Sequence, residues 1–144
     1  MILKQTDVVW IGDSDAERGD VPEGVGAILN VAQDMVAKHT WDHGIECMQV
    51  GLIDGPGNDS TAYCAAVLAL HALLQKHSVL VCCHSGGRAL AVVLMHQCVL
   101  SGRSWQSLLD SLQERVDGLL PTVHLAHRDA FIADVADFLV NGAL

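Results

Sequence analysis

Two adjacent cysteines close an apolar run in the stretch VLVCCHSGGRALA, residues 79–91. A thiol, two glycines and an arginine packed this closely are the ingredients of an anion-binding loop with a nucleophile at its base. Gly86 and Gly87 let the backbone curl so that successive N–H groups point inward. Arg88 supplies a planar fork that matches phosphate. The apolar residues that follow read as a helix, whose first N–H groups and dipole favour an anion. The same surroundings favour a thiolate, the nucleophilic form of a cysteine. The chemistry indicated is phosphoryl transfer through a cysteine.

Such a loop needs a strand before it and a helix after it. SVLVC (78–82) is β-rich and apolar, and a helix starting in the GGRA region runs to about Leu100. Three further strands are expected, at VVWIG (8–12), GAILNVA (26–32) and ECMQVGLI (46–53). Their continuous apolar runs suit strands buried on both faces. DSDAERGD reads as a polar loop or short helix, and residues 33–44 as an irregular segment with a possible short helix. DGPGNDS (54–60) is dense in turn formers, and Asp59, Ser60 or Thr61 caps a helix over about 62–76. Ser104 caps another helix, Pro121 interrupts, and a last helix covers roughly 127–140. No repeat or linker divides the chain, so residues 1–144 are expected to form one domain. The fold class expected is α/β: a central, mainly parallel sheet flanked by helices, with a helical C-terminal half. In open sheets of this kind ligands sit at the carboxyl ends of the strands, where the cysteine pair falls.

Composition narrows the partners. The net charge is −9, and the eight Lys and Arg are scattered. Nucleic-acid surfaces and polybasic membrane patches both need clustered cations, so neither partner is expected. No apolar stretch reaches the roughly 20 residues of a membrane span. MILKQTDVVWIGDSDAE has no signal-type apolar core before its acids begin, which is expected of a cytoplasmic protein. The five cysteines are not spaced as a disulfide framework, and most should be thiols in a reducing compartment. Cys82 and Cys83 could alternatively pair under peroxide as a redox switch. His39, His43, His124 and His127 lack zinc-site spacing and read as surface or capping residues, so no metal is expected. Trp41 and Trp105 read as packing residues, and Arg128 as a solvated charge or part of a substrate rim.

The stretch resembles the signature of the cysteine-dependent protein tyrosine phosphatases, in particular the small dual-specificity phosphatases. Their pattern is an apolar strand, His-Cys, two residues, Gly, two residues, Arg, then Ser or Thr. The resemblance extends along the chain. VVWIGD is similar to the family's opening strand, GVGAILNVAQDM to its second, and MQVGLIDGPGND to the strand and loop that carry the general acid. ALAVVLM is similar to the helix after the signature, and the Pro121 region to the break before the last helix. The resemblance implies a single phosphatase-like domain that hydrolyses phosphotyrosine, phosphoserine or phosphothreonine in a protein substrate, through a phosphocysteine intermediate and without a cofactor. It implies that Arg88 and the backbone N–H groups of Cys83, His84, Ser85, Gly86, Gly87 and Arg88 bind phosphate. Asp54 matches the general acid, with Asp59 as the back-up.

The spelling departs from the family in the loop itself. Five residues, CHSGG, separate Cys82 from Arg88, as the family requires, but Val81 then replaces the histidine and Ser85 the glycine. With Cys83 as nucleophile Gly86 falls correctly, but only four residues, HSGG, precede Arg88. Loop length favours Cys82, with Cys83 as the alternative. In either register Ala89 replaces the hydroxyl that in the family helps the thiolate leave, so slow breakdown of the intermediate is expected unless Ser85 or a water substitutes. Two other functions remain open: a non-catalytic phosphate-binding relative, and a rhodanese-like sulfurtransferase, whose active loop C-HSGG-R-A also resembles.

Overall fold

The computed structural model describes residues 2–14, 21–34, 44–53, 57–114, 132–134, 136, 137 and 139. Its sheet has the strands β1 (Ile2–Lys4), β2 (Val9–Gly12), β3 (Val25–Ala32), β4 (Glu46–Leu52) and β5 (Ser78–Cys82), in the order β1-β2-β5-β3-β4. β2, β5, β3 and β4 run parallel, and only β1 is antiparallel, to β2. The strand that ends in the cysteine pair is therefore central. Val79, Leu80, Val81 and Cys82 are completely buried, as the continuous apolar run requires. β4 is an edge strand, and its exposure is correspondingly mixed.

Three helices complete the described framework: α1 (Ser60–Leu74), α2 (Gly87–Ser101) and α3 (Trp105–Gln113). Asp59 caps α1, its carboxylate accepting from the Ala62 N–H at 2.9 Å. Ser104 caps α3 by accepting from the Ser107 N–H at 3.1 Å. Gly102 ends α2 in the left-handed conformation, φ 71°, and its N–H returns to the Cys98 carbonyl at 3.1 Å. Helices α1 and α2 pack on the sheet and on each other. Ile11, Ile28, Leu29, Leu70, Leu80, Leu90 and Leu94 are fully buried at this junction. Each contributes about 1.5–3 kcal/mol by leaving water.

The four parallel strands and the first two helices lie where the sequence indicates, with ends shifted by up to two residues, and the third begins directly after its expected cap, Ser104. The strand β1 is additional: three residues are too short to display a period. The expected break at Pro121 lies outside the described residues. So does the last helix at 127–140, except 132–134, 136, 137 and 139, which are helical.

The start and the end of α2 have different surroundings. Residues 86–96 are all buried, so the helix begins inside the molecule, next to the carboxyl ends of the strands. At the far end of α2, a cavity of about 430 Å³ opens between Val9, Leu74, Val93 and Leu108. Its wall holds His71 and His96, whose Nδ1 and Nε2 atoms are 3.1 Å apart. Burial, reinforced by His71, pushes the pKa of His96 down to about 4.

Candidate active site

The carboxyl ends of β2 and β3 flank that of β5: Cys82 is in register with Gly12 on one side and Asn30 on the other. It belongs to the sheet ladder and is fully buried. The chain leaves the sheet one residue later. The Cys83 N–H donates to the Gly12 carbonyl at 3.3 Å, and the Ser14 N–H donates to the His84 carbonyl at 3.2 Å. These two bonds pin the start of the loop to the end of β2 and the residues that follow it.

The loop then turns back on the sulfur of Cys83. Gly86 adopts φ 94°, ψ −13°, a left-handed conformation that a side chain would strain. This turn directs the Gly86 N–H to Cys83 Sγ at 3.1 Å. The Ala89 N–H, in the first turn of α2, reaches the same sulfur at 3.4 Å. Both donors belong to a helix start, where N–H groups have no acceptor within the helix and face negative charge favourably. His84 and Ser85 are exposed at the rim, whereas Gly86 and Gly87 are buried beneath it.

Arg88 does not close this ring with its side chain. Its Nη1 donates to the Leu52 carbonyl at 2.8 Å and to Asp34 Oδ1 at 2.9 Å. Leu52 ends β4, which lies two strands from β5, about 10 Å at the usual strand spacing. The guanidinium thus spans the ends of β3 and β4. Arg88 is 3% exposed, whereas the Asp34 side chain remains 61% exposed. The Arg88 hydrogen bond is the chief reason that the Asp34 carboxyl is held below its usual pKa. His84 approaches the same residue, its Nε2 lying 3.5 Å from Asp34 Oδ2 and 3.3 Å from the Asp34 carbonyl.

Asp54 itself lies outside the described residues, but the base of its loop does not. The Asn58 side chain pairs both ways with Ile53: it accepts from the Ile53 N–H at 2.8 Å and donates to the Ile53 carbonyl at 2.6 Å. These two bonds tie residue 58 back to residue 53. A cavity of about 640 Å³ lies between Gln33, Gln49, Gly51, Ile53 and Asn58. Asp59 caps α1.

Sequence reasoning passed over two members of this site, Asp34 and the Leu52 carbonyl. Asp34 had a signal, as an acid just beyond the carboxyl end of a parallel strand. A main-chain carbonyl has none. His39, Trp41, His43, His124, His127 and Arg128 lie outside the described residues.

No family model matches the chain, and no curated protein matches it by sequence. Solved structures do. The chain is similar to human DUSP28, with 16% identity and a TM-score of 0.74, over 99% of this chain and 100% of that one. It is similar to the human tyrosine phosphatase-like serine/threonine/tyrosine-interacting protein, with 16% identity and a TM-score of 0.71, over 99% and 98% of the two chains. OH1 from the Orf virus, a tyrosine phosphatase, matches with 20% identity and a TM-score of 0.61, over 97% and 87%. The chain has the fold of the dual-specificity phosphatases. At these identities the likeness defines the fold, and the activity must be argued from the residues.

Proposed function

We propose that this chain is a cysteine-dependent phosphoprotein phosphatase of dual-specificity type whose nucleophile is Cys83. The observation that carries the reading is the pair of backbone N–H groups, from Gly86 and Ala89, directed at Cys83 Sγ. Cys82, one residue earlier, is part of the buried strand ladder. In the first step Cys83 Sγ attacks phosphorus, the S–P bond forms, and the P–O bond to the substrate side chain breaks. Asp54 gives its proton to the departing oxygen. In the second step a water attacks the phosphocysteine, Asp54 takes a proton from it, and the thiolate leaves with the S–P electrons. Loop N–H groups stabilise the charge that develops on the phosphoryl oxygens. The substrate would be a phosphorylated tyrosine, serine or threonine of a protein in the cytoplasm, where the thiols of Cys47, Cys64, Cys82, Cys83 and Cys98 would stay reduced.

A second reading, a non-catalytic phosphate binder, is favoured by one contact. The Arg88 guanidinium donates to Asp34 and to the Leu52 carbonyl. Incubation with para-nitrophenyl phosphate, followed by acid quench and mass spectrometry, separates the two. Turnover with phosphate trapped on Cys83 supports the phosphatase reading, together with an initial burst because Ala89 brings no hydroxyl. Phosphate on Cys82 instead would restore the longer loop register. Phosphopeptide binding without turnover would leave the second reading.

A further inference from the structure

Two groups of the anion loop converge on one carboxylate outside it. Arg88 Nη1 bonds Asp34 Oδ1 at 2.9 Å, and His84 Nε2 lies 3.5 Å from Asp34 Oδ2. Arg88 is buried and tied a second time, to the Leu52 carbonyl. The carboxylate therefore sets the position of the loop's one guanidinium and offsets its charge at close range. We propose that Asp34 is a restraining residue of the anion site: it holds Arg88 and His84 toward the ends of β3 and β4, and an incoming phosphoryl group has to compete with it for them. The proposal rests on the reading of residues 83–88 as an anion loop.

Three features of the contact carry it. Asp34 is accessible, so its exchange with a second anion needs no unfolding of the core. Both of its oxygens face loop residues, so a single carboxylate occupies donors from two positions of the loop. And it supplies a negative charge where the reaction would bring another, so it weakens the attraction of the site for any oxyanion. An acid at this place lowers affinity in exchange for a defined arginine position. In a chain of net charge −9, local restraint of its few cations matters more than it would in a basic protein.

The test uses tungstate, an unreactive tetrahedral dianion, titrated into the full chain by calorimetry. Asp34→Asn keeps an acceptor for Arg88 and removes the charge. It is expected to bind tungstate about fivefold more tightly than the natural chain at low salt, the size of one partly screened charge. The gain should shrink as salt rises. Asp110→Asn removes the same charge from the exposed face of α3 and should leave affinity unchanged. Should Asp34→Asn lose its circular dichroism signature, Asp34→Ser carries the same comparison. Equal or weaker binding by the neutral variant overturns the proposal, because Asp34 would then be holding Arg88 in a productive pose. Tungstate binding by neither protein overturns the anion-loop reading itself, and the proposal with it.

Discussion

Ala89 gives its backbone N–H to the sulfur of Cys83, 3.4 Å away, and so closes the loop on a single atom. The Gly86 N–H reaches the same atom at 3.1 Å. Cys82 ends a buried strand in register with Gly12 and Asn30. The two thiols are neighbours in sequence with different surroundings. Cys83→Ser is therefore expected to reduce kcat for para-nitrophenyl phosphate by at least about a thousandfold, the scale of nucleophile loss. Cys82→Ser should keep kcat within about tenfold and should lower stability, because a hydroxyl replaces a buried thiol. Steady-state kinetics with denaturation curves for both variants checks this. The reverse ranking would assign the chemistry to Cys82.

Asn58 is tied to Ile53, the residue before Asp54 in sequence, by bonds of 2.8 and 2.6 Å to its two backbone polar groups. Asn58→Ala removes both bonds and the contact of its side chain with the buried Tyr63 hydroxyl, so its stability cost should be about 1–2 kcal/mol. Its effect on rate should depend on the leaving group. Phenolate, released from phenyl phosphate, leaves poorly and would need the proton of Asp54, whereas para-nitrophenolate leaves well without it. The expected result is a loss of kcat for phenyl phosphate about tenfold larger than for para-nitrophenyl phosphate. Equal losses would argue that the tie to Ile53 does not position the acid.

Much of this architecture is legible in the sequence, for reasons particular to each element. β5 reads correctly because a central parallel strand is buried on both faces and spells a continuous apolar run. The caps Asp59 and Ser104 read correctly because capping is a local interaction, completed within three residues. The register of the loop is less legible. Each cysteine satisfies part of the family pattern, and loop length alone favours Cys82. What separates them in space is where the pairing of β5 with β2 and β3 ends, which neighbouring residues do not encode. The destination of Arg88 is least legible. Its partners lie 54 and 36 residues away in sequence, and one of them is a backbone carbonyl.

That destination has a stability consequence. Arg88→Ala removes a buried side chain, leaves the Leu52 carbonyl without its charged donor and returns Asp34 to water. A hydrogen bond to a charged group, together with lost packing of the arginine stem, is worth about 2–3 kcal/mol. The exposed partner adds little, because solvent screens it. Arg88→Lys should recover part of this loss, since an ammonium can reach one acceptor without matching the planar fork. Urea denaturation of the three proteins measures the series. A change below about 0.5 kcal/mol for Arg88→Ala would mean that the guanidinium is not held at the strand ends.

His96 makes the fold sensitive to acid at the end of α2 remote from the loop. Burial, then the neighbouring His71, lowers its pKa from 6.5 to about 4. In that interval the unfolded chain binds a proton that the folded chain refuses, so stability rises with pH. The contribution is complete above the unfolded value and is lost as pH falls from about 6.5 toward 4. Between pH 7.5 and pH 5 this one residue should remove about 2 kcal/mol of stability. His96→Gln keeps a polar group at the Nε2 contact with His71 and cannot titrate. Its stability should fall less steeply over the same interval, by about that amount, even if its stability at neutral pH is lower. Parallel pH profiles for the two proteins would show that His96 charges freely within the fold, and that the 3.1 Å contact with His71 does not keep it neutral.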